Sequence, residues 1–265
     1  MNSYNVIHLN NKVSIKKFEN SYKYSICFGN SNSNSNSNSK LNCFAQSILQ
    51  SNILPSSRIN ISDFKCSIDF YAENVCTFKD YLKKYGNGVN NSISYDQSVK
   101  IIYNIGTLIS SLENNGYTFY ALDVDNIIVI DDSCFLYLGV EYLIPIFYSN
   151  ININSNSKQI SFLTPFDKSK GIFSPEVLAI NSIPSNVTYK SIYYSLAFFI
   201  MTYLFPSSIT LVMDVNIDIN IVVDSVHEVD KKIMDVLKPI MQTKLYWFLI
   251  KNLSLNSENR CLILI

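Results

Sequence analysis

The hydrophobic rhythm of the chain changes near residue 75. Before that point apolar and polar residues alternate in short runs, the period of half-buried strands. Residues 22–28 read Tyr-Lys-Tyr-Ser-Ile-Cys-Phe, and residues 58–64 and 65–71 predict two further strands. Between them, residues 41–54 set Leu41, Phe44, Ile48 and Leu49 on one side, which predicts a short amphipathic helix ended by Pro55. The Asn/Ser repeat over residues 30–39 has nothing to bury, so it predicts a solvated, disordered loop.

Past residue 75 the spacing becomes helical. Thr77 is a good N-cap for a helix that Gly86-Asn87-Gly88 would close. Residues 95–115 place Val99, Ile102, Ile105, Ile109 and Leu112 at helical spacing, and Gly116 stops them. Two short strands, residues 127–130 and 135–138, flank the turn Asp131-Asp132-Ser133-Cys134. A polar patch over residues 149–157 predicts a loop insertion, and apolar segments at 192–205 and 244–255 predict helices. A strand-rich part followed by a helix-rich part predicts an α+β fold in two lobes. The boundaries fall at residues 1–74 for a reduced small lobe and 75–265 for a helical large lobe.

Composition narrows the function. Lys plus Arg and Asp plus Glu number 21 each, so no net field draws the chain to nucleic acid. Apolar residues make up 48%, enough for a sizeable core. The six cysteines form no C-x-x-C pair and lie far from His8 and His227, which speaks for reduced, buried thiols and against a metal site. The first 20 residues hold no apolar signal segment, so a reducing cytoplasm is the expected compartment. Residues 191–213 carry no charge, which raises a membrane span. Their strongly apolar part stops at Pro206, however, and a buried core helix is the stronger reading. The Asn- and Ile-rich usage fits an AT-rich genome, that of a parasite, an amoeba or a large DNA virus, with the virus favoured; the cytoplasm would then be the host's.

Four short motifs then fall in a telling order. Ala121-Leu122-Asp123-Val124-Asp125-Asn126-Ile127-Ile128-Val129 resembles the H-R-D-L-K-P-E-N-I-L-L stretch of protein kinases, registered on Asn126. Ser174-Pro175-Glu176 resembles the A-P-E that closes the kinase activation segment. Tyr194-Ser195-Leu196-Ala197 resembles the W-S-L-G of the central helix, and the segment from Leu253 to Arg260 is similar to L-x-x-D-P-x-x-R. The resemblance covers residues 63–260 and implies a protein-kinase-like bilobal fold. It also implies a structural ion pair between Glu176 and Arg260, buried at the base of the large lobe.

Phosphoryl transfer needs a phosphate-covering loop, a lysine held by a glutamate, metal ligands and a carboxylate to orient the hydroxyl. No G-x-G-x-x-G occurs, and the first glycine is Gly29. Val13-Ser14-Ile15-Lys16 resembles V-A-I-K, which makes Lys16 the candidate nucleotide lysine. No glutamate lies between Glu19 and Glu73, so the expected helix offers only Gln46 and Gln50 as a partner. On the Asn126 register Ala121 stands at the base position, leaving Asp123 and Asp125 as substitutes or, more simply, as loop caps. Gly139 stands where the metal-binding Asp belongs, and Glu141 comes two residues late. Asn126 is thus a lone neutral metal ligand. Ile192 replaces the Asp that opens the family's central helix.

The expectation is a catalytically inactive, pseudokinase-like domain that binds another protein and needs no cofactor. ATP and Mg enter only under the alternative of a divergent active serine/threonine-type kinase using Asp123 or Asp125. A membrane-associated protein with a span near 191–213 is the third reading.

Overall fold

In the computed structural model, which describes residues 5–19, 21–29, 35–54, 56–62, 65–86, 92–152, 155–208 and 224–263, the alternating runs of the first part form one antiparallel sheet. Strands β1 (Asn5–His8), β2 (Val13–Lys17), β3 (Lys23–Phe28), β4 (Arg58–Ser62) and β5 (Lys65–Tyr71) lie in the order β1-β2-β3-β5-β4. The register opposes Val13 to Phe28 and Ile15 to Ile26, then Ile26 to Ile68 and Tyr24 to Phe70. A period of two therefore gathers these side chains on one face. Ser14, Lys16, Ser25, Cys27 and Asp69 go to the other. On the apolar face Phe28 meets Phe44 edge-on at 5.7 Å, docking helix α1 (Ser35–Gln50) against the sheet.

Helix α1 departs from the sequence expectation at both ends. It starts at Ser35 and stops at Gln50, so residues 35–39 of the Asn/Ser run are helical and not loop. Residues 30–34 of the expected loop lie outside the described residues. Serine and asparagine suit a first turn, whose orphan amides they can satisfy, and the turn grows from a body anchored by buried Leu41, Phe44, Ala45 and Ile48.

In the second part β6 (Val75–Thr77) leads into α2 (Phe78–Tyr85), where Thr77 accepts from the Asp80 amide as the cap. Helix α3 (Tyr95–Asn114) opens on a reciprocal Ser94–Gln97 capping box and buries Ile101, Ile102, Ile105, Leu108, Ile109 and Leu112. Gly116 follows with φ +78, a left-handed turn that glycine enters without strain. Just before it, the Asn115 carboxamide donates to Ser47 Oγ and Gln50 Oε1, both at 2.8 Å, and pins the end of α1 to the end of α3.

Short strands follow. β7 (Tyr117–Phe119) pairs with β11 (Leu143–Pro145), and β8 (Ala121–Leu122) pairs with β14 (Ile172–Phe173). β9 (Ile127–Ile130) and β10 (Cys134–Tyr137) form the expected hairpin, and β6 adds to its edge. Asp131 and Asp132 both have positive φ, and Asp131 Oδ1 accepts the Glu73 and Asn74 amides.

Residues 149–152 and 155–157 of the expected loop are instead strand, and 153–154 lie outside the described residues. β12 (Phe147–Asn152) pairs with β13 (Ser155–Phe162), and β13 pairs with β15 (Ser185–Thr188). The Ser/Asn run carries no strand signal of its own, while buried Ile160 and Phe162 further along anchor the strand that composition hides. Helix α4 (Pro175–Leu178) is a single turn. Helix α5 (Ser191–Leu204) is buried at every residue from Ser191 to Met201, which explains its lack of charge.

No helix among the described residues is long and apolar enough to cross a membrane, and residues 209–213 of the candidate span lie outside them. Two further helices, Asp224–Leu237 and Lys244–Asn252, complete an α+β fold. The cysteines are unpaired as expected, yet only Cys66 is buried and the other five are half-buried.

Candidate functional site

The segment registered on Asn126 is built around one tyrosine. Tyr137, at the end of β10, is wholly buried and packs edge-on against Phe119 at 4.7 Å. Its hydroxyl donates to the Ala121 carbonyl at 3.1 Å and accepts the Asp123 amide at 3.2 Å. Burial pushes this phenol well above its ordinary pKa, so it stays a neutral donor. The same ring explains Gly139. A Cβ placed there would overlap the Tyr137 hydroxyl and the ring carbon that bears it, so only glycine fits. With φ −76 the backbone makes no such demand; close approach does.

Asp123 and Asp125 are both committed elsewhere. Asp123 Oδ1 accepts the Asp125 amide and caps the 3-10 turn Val124–Asn126, while Tyr142 donates to Asp123 Oδ2 at 3.4 Å. Asp125 forms an exposed ion pair with Lys79 of α2. Both are the loop residues that the plainer sequence reading expects.

Asn126 is 1% exposed and closes a three-residue ring. Its amide nitrogen donates to Glu141 Oε1 at 2.7 Å. Asn10, in the turn between β1 and β2, donates to Asn126 Oδ1 at 2.6 Å and to Glu141 Oε2 at 3.2 Å. The orientation of the Asn10 amide is over-determined: its Oδ1 accepts the Lys12 and Val13 amides, both at 2.8 Å, so the nitrogen must be the donor. The ring joins residues 116 and 131 positions apart in sequence.

Lys16, the nucleotide-lysine candidate, is not part of this site. It sits on the second strand, opposite Val6 and Ser25, whereas kinases carry that lysine on the third. The pleat also turns it to the polar face, away from Phe28 and α1. A lysine that does respond to Glu141 is Lys40, in α1. Burial lowers that ammonium to about 8, with Lys12 pushing the same way and Glu141 opposing. Gln46 is exposed, and Gln50 faces Ser111 and Asn115.

Sequence reasoning passed over Asn10, Lys40 and Tyr137. Asn10 and Lys40 had no signal beyond an Asn-Asn turn and a helix start. Tyr137 was legible only as one of the apolar residues before Gly139.

A second polar cluster lies elsewhere. Arg260 is completely buried and pairs with Glu176 through two parallel bonds, at 2.5 and 3.0 Å. Its Nε donates to the Ser254 carbonyl, its guanidinium lies over the Tyr194 ring at 5.1 Å, and Ser191 donates to Glu176. The expected contact is thus present, with three of the arginine's donors used.

No protein-family profile matches the chain, and no curated protein sequence matches it. The fold and sites therefore define it as an α+β protein whose Asn126 segment holds a closed polar ring and no carboxylate at Ala121 or Gly139. In such a ring both oxygens of Glu141 and both ends of Asn126 are engaged.

Proposed function

We propose that the chain is a non-catalytic, protein-kinase-like module that works by binding another protein. The reading joins three kinds of support. The order of elements runs from a five-stranded sheet with one helix, through α2 and α3, to the Asn126 hairpin and a mainly helical remainder. The buried Arg260–Glu176 pair matches the contact that the motif resemblance implies. The chemistry is missing at both positions where phosphoryl transfer needs a carboxylate.

The observation that carries most weight is the Tyr137 side chain. Its hydroxyl binds the Ala121 backbone and fills the space beside Gly139, so one buried ring serves both emptied positions. A site still selected for transfer would have no use for a tyrosine that shuts out the metal-binding carboxylate.

The test is a thermal-shift titration with Mg-ATP, joined to a labelled-phosphate transfer assay on a generic substrate. No Mg-dependent stabilisation and no transfer are expected. Magnesium-dependent stabilisation by ATP, or transfer lost in Asp123→Ala or Asp125→Ala, would sink the reading.

A further inference from the structure

A carboxamide NH2 held between two oxygen ligands does what a small cation does: it brings positive charge to lone pairs that would otherwise face each other. The Asn10 nitrogen is in that position, 2.6 Å from Asn126 Oδ1 and 3.2 Å from Glu141 Oε2. Its own oxygen is tied into the β1–β2 turn, so the donor is presented by a rigid loop and not by a free side chain. The turn is itself fastened, because the Gly29 amide donates to the Lys12 carbonyl at 2.6 Å.

We propose that Asn10 is a built-in stand-in for a cation: its amide nitrogen occupies the space between Asn126 and Glu141 and latches the first hairpin over that site. While the latch is closed, a divalent cation has no open position there. The inference rests on the functional reading above only in taking Asn126 as the kept member of a metal-binding set. It adds the occupant of that site and the device that shuts it. Any partner or ligand that needs the site open must first displace Asn10, which makes the hairpin the element whose movement would report binding.

The sharpest test is Asn10→Asp. The substitution is isosteric and keeps the oxygen that accepts the Lys12 and Val13 amides, so the turn survives. It replaces the bridging donor with an oxygen, which then faces Asn126 Oδ1 and Glu141 Oε2 with no donor among those three atoms. The variant should melt several degrees below the wild type. About 10 mM MgCl2 or CaCl2 should restore much of that loss, while KCl at matched ionic strength should not. Wild type should respond to the divalent salts no more than to KCl, and Asn10→Asp/Glu141→Ala should lose the response.

An Asn10→Asp protein as stable as wild type would overturn the proposal. So would one that divalent cations rescue no better than KCl, or a response that survives Glu141→Ala. Should that variant not fold, Asn10→Ala serves instead: hydrogen exchange should quicken over residues 5–17 and stay unchanged over 95–114, and an unchanged hairpin overturns the latch. Phosphate transfer by the wild type would sink the non-catalytic reading without altering the response of Asn10→Asp, so the two failures are distinguishable.

Discussion

Two polar clusters tie this molecule together across long stretches of sequence, and they do so by different physics. Arg260 and Glu176 are oppositely charged, joined by two bonds, and the arginine is fully out of water. Asn10, Asn126 and Glu141 hold one charge among three residues, and neutral amides supply every donor. The difference lies in what is left when a partner goes. Removing Glu176 strands a buried cation, whereas removing Asn10 strands two acceptors beside a turn that water can reach. The first cluster is a staple around a buried cation; the second is the contact proposed above as a latch.

Breaking the staple should give the largest effect. Arg260→Ala or Glu176→Ala is expected to lose about 3–5 kcal/mol in urea unfolding, because one partner of a buried pair is left uncompensated. Arg260→Lys keeps the charge but not the fork, and should recover only part of that loss.

Glu113 shows what a half-buried carboxylate does with a tyrosine as its partner. It receives the Tyr193 hydroxyl, at 2.7 and 2.9 Å, and burial raises its pKa to about 7. Its folded pKa lies above the ordinary value, so the folded state holds the proton more tightly. Stability should therefore be full below the unfolded value near 4.5 and fall as pH rises toward about 7. The loss should reach about 3 kcal/mol at most, because each tenfold difference in proton affinity between the two states is worth roughly 1.4 kcal/mol. Glu113→Gln should flatten this slope in chemical unfolding between those limits; an unchanged slope would remove Glu113 as its source.

At the Asn126 segment, Gly139→Ala should destabilise by about 1–3 kcal/mol, since its Cβ meets the Tyr137 ring. Replacing Tyr137 with Leu in the same protein should relieve the clash, giving a favourable coupling in a double-mutant cycle. Purely additive effects would mean that the ring is not what excludes a side chain at 139. The smallest effect belongs to Asp125. Its pair with Lys79 is exposed at both ends, so Asp125→Ala should change stability by no more than about 1 kcal/mol.

Much of the fold was legible in local pattern. The alternating runs of the first sheet, the cap at Thr77, the hairpin after Asn126 and the buried charge-free helix all follow from it, because period and capping act over a few residues. At Lys16 four residues matched a motif, while the strand's place in the sheet and its facing were invisible in sequence. The Asn/Ser runs misled. Their low hydrophobicity reads as loop, yet α1 and the β12–β13 hairpin extend into them on anchors placed further along.

Local periodicity determined which residues face inward, and motif order determined which glutamate and arginine to pair. The sequence alone also set the absence of carboxylates at Ala121 and Gly139. Only the tertiary structure decided that Tyr137 closes the space beside Gly139, that Lys16 lies on the polar face of the sheet, and that Asn10 reaches Asn126. The reason is range. Hydrophobic period and capping are properties of neighbours along the chain, whereas a hydrogen bond between residues 116 positions apart exists only once the sheet, its register and its docking have brought them within about 3 Å.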